Sequence, residues 1–321
     1  MNRLTTKIIV NFVAPINLEN LNIFHLGTNK KYFNHAKTNY SLANTTIPAI
    51  EQAIIALTNF SNRTENQIYL NICGRTLKWI DENSKQTEIN LRNFAKSRYV
   101  NLVATPFFGT SILKLPQIEL THQLKTYHEI AKKIYKRTPV IALSDSNNLN
   151  ESIEQTLKQN KLKQILFVPH QVQGIYNINK QKIIFLTESF FTNKTEKQIE
   201  HDLNNLNKLL PNYTDANTIN CPLQKHVQEE LTKTYHPLKK LNDESILTDW
   251  RLLSAHNHLS ASEDYESYIS SMNTLNDLAY KVKNIDLLNA GQELIEPLLL
   301  ENPSQLLENL SMLNVQECDE K

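Results

Sequence analysis

Tyr99-Val100-Asn101-Leu102-Val103-Ala104 is an apolar run that stops at Thr105-Pro106, and its surroundings decide the fold. A segment with helical spacing follows from Glu119 to Lys136, with Leu120, Leu124, Tyr127, Ala131 and Ile134 on one face. A second apolar run, Pro139-Val140-Ile141-Ala142-Leu143, then ends in the polar cluster Ser144-Asp145-Ser146-Asn147-Asn148. Strand, helix, strand is the unit of a parallel sheet, and in α/β folds functional groups collect beyond the carboxyl ends of the strands. Ser144–Asn148 is therefore the first candidate site.

The pattern extends in both directions. Upstream, Lys7–Val13 reads as a buried strand, Pro48–Phe60 as an amphipathic helix opened by Pro48, and Gln67–Cys73 as a second strand ended by Gly74. Short helices around Leu77–Ile80 and over Glu88–Lys96 precede the Tyr99 run. Downstream come a helix over Ser152–Gln159, a strand at Gln164–Val168 and a last strand at Lys182–Leu186. After about Thr192 the pattern is helical only: Glu196–Leu210, Pro222–Tyr235, Glu244–Ser254, Asp264–Lys283 and two short helices within Gln292–Leu313. The stripe Tyr265, Tyr268, Met272, Leu275, Ala279 and Val282 has the spacing of a bundle core. The expected architecture is α/β with a parallel, barrel-like order over residues 1–195, followed by a helical domain over 196–321.

Composition narrows the function. Lys and Arg number 34 against 33 Asp and Glu, so no global field points to nucleic acid or a membrane surface. Gly occurs only 5 times in 321 residues, well below the usual level of about 7%. No GxGxxG or P-loop is present, which argues against a nucleotide, and no other cofactor is indicated. Cys73, Cys221 and Cys318 share no metal-site or disulfide spacing. The N-terminal run Ile8-Ile9-Val10 is too short for a signal core or a membrane span, and the chain reads as cytoplasmic. His256 and His258, two apart on a helix, do not face one ligand position, so no metal site is expected.

Several segments together resemble glycoside hydrolase family 57, the α-amylase and 4-α-glucanotransferase group. Cys73-Gly74-Arg75-Thr76-Leu77 is similar to the family's turn after its second strand, and Val100–Phe108 to its "VELLATPYYHS" strand. Glu119, Gln123 and His128 fall where the following helix has "E…QV…H". Asp249-Trp250-Arg251-Leu252-Leu253 with His258 is similar to "DWRxLQxSDHF", and Tyr265–Asn273 with Leu275 and Asp277 to "YEAFINYMNILSD". The resemblance implies an incomplete (β/α)7-type barrel with a C-terminal helical region, retaining glycoside hydrolysis or transfer, no cofactor, and an α-glucan or oligosaccharide as partner. It names no protein partner.

The departures from the family's pattern bear on chemistry. Its first strand ends in His-Gln-Pro, where this chain has Val13, Ala14 and Pro15; the carboxylate of "VELL" becomes Asn101, and the later His becomes Gly109. The nucleophilic Glu aligns with Ser146, which has no anionic charge to offer an oxocarbenium ion. The general-acid Asp aligns with Thr187 or lies on a strand this chain lacks. The expected protein is a pseudoenzyme of the family, with a carbohydrate- or protein-binding role. The alternative is an active retaining enzyme whose carboxylates have been relocated to Asp145 and Glu188, provided that these come within about 5–10 Å. Pro15, Trp79, Asn101 and His170 are the candidate substrate-binding residues. Asp145 has a second reading as a turn former or helix cap.

Overall fold

The computed structural model describes residues 6–17, 19, 32–145, 149–168, 173–178, 181–214, 231–255, 273, 274, 277–279 and 281. In chain order the elements are β1 (Thr6–Phe12), α1 (His35–Ser41), a π-helical turn (Leu42–Thr46), α2 (Ile47–Thr64), β2 (Gln67–Ile72), α3 (Gly74–Asn83) and α4 (Lys85–Ala95). Then come β3 (Val100–Ala104), α5 (Gln117–Tyr135), β4 (Ile141–Ser144), α6 (Glu151–Gln159), β5 (Gln164–Phe167), β6 (Gly174–Ile178) and β7 (Gln181–Thr187). A 3₁₀ turn (Glu188–Phe190), α7 (Glu196–Asn204), α8 (Leu206–Leu209), β8 (Asn212–Thr214), α9 (Tyr235–Leu241) and α10 (Glu244–Ala255) complete the set.

The strands form one sheet in the order β5-β4-β3-β2-β1-β7-β6-β8. β1 to β5 are each parallel to their sequence neighbours, and β7 returns to lie parallel on the other side of β1. Successive parallel strands side by side, with a late strand returning beside the first, is the order of a (β/α) barrel left open. The α/β class and the incomplete barrel type therefore hold. One departure is β6, which pairs antiparallel with β7 as a hairpin and so interrupts the parallel series. Its sequence, Gly174-Ile175-Tyr176-Asn177-Ile178, is too short to display a periodicity and is opened by a glycine. β8 is a three-residue strand that pairs with β6.

Alternation along the strands sorts their residues between two faces. Ile9, Val103, Ile141, Leu143, Leu166, Val168, Tyr176, Ile183 and Phe185 form one buried cluster, with Tyr69 and Ile178 against it. Every member lies on a strand or directly after one, so this is the inner face of the curled sheet. Ile8, Val10, Ile68, Leu70, Leu102, Ile184 and Leu186 have the opposite parity and are buried under the helices. α2 is well matched to that role: Pro48 lies in its first turn, Ala49, Ile50, Ala53, Ala56, Leu57 and Phe60 are buried, and Glu65 ends it in the left-handed conformation. α7 begins with a capping box in which Thr195 and Gln198 bond each other's backbone N–H groups.

The chain divides into two compact units, one of residues 1–15 and 38–218, the other of 16–37 and 219–321. α7 and α8, read from sequence as the start of the helical region, belong to the first unit with the sheet. In the second, α9 and α10 are joined by a tight turn at Asn242, which is left-handed. Trp250 is fully buried there; its indole N–H donates to the Leu231 carbonyl at 2.8 Å and its ring meets Tyr235 at 5.1 Å. Residues 273, 274, 277–279 and 281 are helical, as the Asp264–Lys283 periodicity predicts; the helices expected within Gln292–Leu313 lie outside the described residues. Among the described residues, no helix is long and apolar enough to cross a membrane.

Phe185 tests the inner-face assignment: it is completely buried in the strand-only cluster. Phe185→Ala should destabilise the sheet unit by about 4 kcal/mol, the usual cost of a truncated core aromatic, read as a lower urea midpoint for loss of strand circular dichroism.

Candidate functional site at the strand ends

Counting two residues beyond the inner-face core on each strand locates the carboxyl-end site. Beyond Ile9 stands Asn11, beyond Tyr69 stands Asn71, beyond Val103 stands Thr105, beyond Leu143 stands Asp145, and beyond Phe185 stands Thr187. Asn11 is in register with Asn71 on one side and with Thr187 on the other. Asn71 donates its side-chain N–H to the Asn11 side-chain oxygen, and the Thr105 hydroxyl donates to the Asn71 side-chain oxygen at 3.3 Å. Asn11, Asn71 and Thr105 are all at most 5% exposed. Thr187 bonds Gln173 at 3.2 Å and Ser189 at 2.9 Å. Apart from Asp145 the row is uncharged, and the amides and hydroxyl of Asn11, Asn71 and Thr105 bond one another. Period-two counting from the apolar residues of each strand would have found it in the sequence.

The β3–α5 loop covers the ends of β1 and β2. Cys73 is fully buried between them; its sulfur accepts the Ala14 N–H at 3.1 Å and lies 3.4 Å from the Thr76 hydroxyl. Gly74 has no side chain because none fits: a Cβ there would meet the Phe107 ring and lie 2.9 Å from its carbonyl oxygen. That carbonyl accepts the Arg75 N–H at 3.1 Å. Gly109 has φ +88°, which an L side chain rarely adopts, and a Cβ would stand 3.3 Å from Val13 and 3.7 Å from Cys73. The loop must pass this close to reach Ser111 and Lys114, and only glycine permits it.

The expected site residues fall in different places. Pro15 is half-buried just past β1, and Trp79 on α3 packs against Ala14, Leu42 and Cys73. Asn101 is the second residue of β3; its side chain donates to Gln67, the first residue of β2, at 2.8 Å. It therefore sits toward the amino ends of the strands, away from the row described above. Ser146 and His170 lie outside the described residues.

Asp145 follows β4 and accepts a hydrogen bond from Ser111 at 2.7 Å. Burial pushes the nearby Lys114 ammonium down, and the Asp145 charge partly opposes this. The cap of α6 is Asn150, whose side chain accepts the Ile153 N–H at 2.8 Å. Glu188 opens the 3₁₀ turn after β7, one residue past the inward-facing Thr187. It accepts from the Thr46 hydroxyl, at 3.1 Å, on the π-turn that leads into α2. Burial raises the Glu188 carboxyl above its ordinary range, and the Thr46 hydrogen bond offsets this in part. β4 and β7 are separated by β3, β2 and β1, four steps or about 19 Å along the sheet at the usual strand spacing. The two carboxylates thus take different partners from different elements, Ser111 on the loop and Thr46 on the helix layer. Among the described residues no group of three or more His, Cys, Asp or Glu side chains could hold a metal ion.

Known proteins were compared with this chain. A 4-alpha-glucanotransferase from Thermococcus litoralis aligns at 13% identity with a TM-score of 0.40, over 59% of this chain and 28% of its own. An alpha-mannosidase from Enterococcus faecalis V583 aligns at 9% identity and a TM-score of 0.39, over 98% of this chain and 43% of its own. A CE4 family pseudoenzyme from Bacillus anthracis gives 8% identity and a TM-score of 0.37, over 67% and 64% of the two chains. This chain spans less than a third of the glucanotransferase's length. No curated protein sequence matches it. The family model described as Glycosyl hydrolase family 57 matches residues 11–168, from the end of β1 through β5, and leaves Glu188 outside the match. That match spans a little under half of the chain and likens this stretch to glycosyl hydrolase family 57.

Proposed function

We propose that this protein is a divergent family 57 relative, derived from α-glucan chemistry, that binds carbohydrate without cleaving or transferring it. The observation that carries this reading is the inner strand-end row. A retaining mechanism needs two carboxyl groups about 5–5.5 Å apart on either side of the scissile bond. Of the inner strand ends, Asn11, Asn71, Thr105 and Thr187 hold no charge to oppose an oxocarbenium ion, and the one carboxylate described among them, Asp145, is bonded to Ser111. Asp145 and Glu188 are engaged four strands apart. Ligand class rests on the family match, and the exposed Val13 with the half-buried Pro15, Phe107 and Phe108 offers apolar surface on which a sugar ring could stack.

A second reading, an active enzyme, draws on one feature: a carboxyl group whose ionisation is disfavoured by burial has the character of a general acid, and Glu188 has that character. Incubation of the full chain with maltooligosaccharides separates the two. The binding reading expects no hydrolysis or transfer product by chromatography, together with heat of binding to maltoheptaose that is reduced at least tenfold in affinity in Phe107→Ala. Product formation that Glu188→Gln abolishes would establish the second reading in its place.

The strand-end row also predicts a stability effect. Asn71→Ala leaves the Asn11 and Thr105 side chains buried without the partner that joins them. It should lower unfolding free energy by about 2 kcal/mol in urea denaturation, the cost of stranding buried polar groups.

A further inference from the structure

Arg75, in the first turn of α3, carries a charge that the sheet unit leaves unanswered. Its backbone N–H is used, donating to the Phe107 carbonyl at 3.1 Å. Its Nη1 is shut off from water and makes no hydrogen bond, and among the described residues the guanidinium enters no ion pair. Burial works against the guanidinium's charge, with the Cys73 thiol opposing this in part, yet an arginine in a protein stays charged. A buried charge without a partner is costly, and an apolar side chain of similar size would fill the same space at no such cost.

The surroundings favour an anion as the missing partner. Residues 8–15, 66–80 and 99–116, the segments that meet at the ends of β1, β2 and β3, contain no Asp or Glu. The Cys73 N-cap of α3 makes no side-chain cap bond, so the positive end of the helix dipole adds to the field there. A second donor is left over on the adjoining loop: the Thr110 hydroxyl is buried without a partner, next to Gly109, whose Cβ position lies 3.7 Å from Cys73.

Position ties Arg75 to the sugar surface. It is one helical turn before Trp79, on the same side of α3, and Trp79 packs against Ala14 and Cys73 at the ends of β1 and β2. Helical side chains lean toward the N-terminus of their helix, which here is the carboxyl end of β2. Arg75 is half-buried, so part of it borders solvent, and its backbone is bonded to Phe107, one of the rings offered to a sugar.

We infer that Arg75 receives an oxyanion borne on the bound sugar, so that the carbohydrate taken at this site is acidic, carrying a phosphate ester or a carboxylate. The inference rests on the carbohydrate-binding reading above and specifies its ligand class. A guanidinium is suited to either group, because its planar fork donates two parallel hydrogen bonds to paired oxygens.

Titration calorimetry of the full chain at low salt tests this with maltose, maltose 1-phosphate, maltobionate and inorganic phosphate. At least one of the acidic disaccharides should bind about tenfold more tightly than maltose, and the one that does so identifies the oxyanion. The margin should shrink at high salt. Arg75→Gln should bring the acids down to the level of maltose, whereas Arg75→Lys, which keeps the charge, should retain part of the margin. Without ligand, the urea midpoint of Arg75→Gln should equal or exceed that of the unaltered chain, because an unpartnered charge has been removed. A lower midpoint would make Arg75 a structural residue and overturn the inference. So would acids that bind no more tightly than maltose, which leaves the carbohydrate reading standing, or a margin that survives Arg75→Gln. Inorganic phosphate bound as tightly as maltose 1-phosphate would replace the acidic sugar by a bare anion site. Absence of binding by all three disaccharides would overturn both readings.

Discussion

The hydrogen bond from Asn71 to Asn11 is the constraint on which the sheet unit turns. Two primary amides buried side by side can be tolerated only if each finds partners within the protein, because neither reaches water. That demand fixes the register of β1 on β2, since a one-residue slip would send one amide into the helix-facing layer among Val10, Leu70 and Ile72. Through β1 it also fixes β7, whose Thr187 is in register with Asn11. The same bond limits chemistry. An amide already committed to a neighbouring amide and to Thr105 has less to offer a sugar hydroxyl than a side chain held open to solvent.

Apolar runs made most of the parallel sheet legible in the sequence. β3 is bounded as its own residues predict, and β1, β2, β4, β5 and β7 agree to within a residue or two at either end. What escaped was either short or dependent on a partner. β6 and β8 are stabilised by hairpin and edge pairing that no local periodicity announces. The segment from His35 to Thr46 is mostly polar and shows no clear apolar period, yet it is helical and ends in a π-turn whose Thr46 reaches Glu188.

The candidate site was legible in part, and its polarity was harder to see than its membership. Asn101 draws attention because it replaces a carboxylate in the resembling motif, but a second position on a five-residue strand lies toward the amino end, where it meets Gln67. Beside Asp145, which the sequence did single out, the residues that share the carboxyl end on the inner face, Asn11, Asn71, Thr105 and Thr187, are small polar side chains that look unremarkable in an Asn- and Thr-rich sequence. Only the alternation of each strand, combined with the order in which strands lie side by side, brings them into one row.

The two polar clusters, one in each unit, illustrate different solutions to one problem. At the ends of β1, β2 and β3, polar groups are buried as neutral amides and hydroxyls, so no change of pH between 4 and 8 alters their bonding. Around Tyr32 the groups are ionisable: Lys281 pairs with Asp277, and the Tyr32 hydroxyl bonds both. Neutral networks hold geometry regardless of conditions, whereas an ion pair holds it only while both partners keep their charge. The amide and hydroxyl row thus keeps its bonding across pH, while the contact of Tyr32 with Asp277 and Lys281 is held by charge.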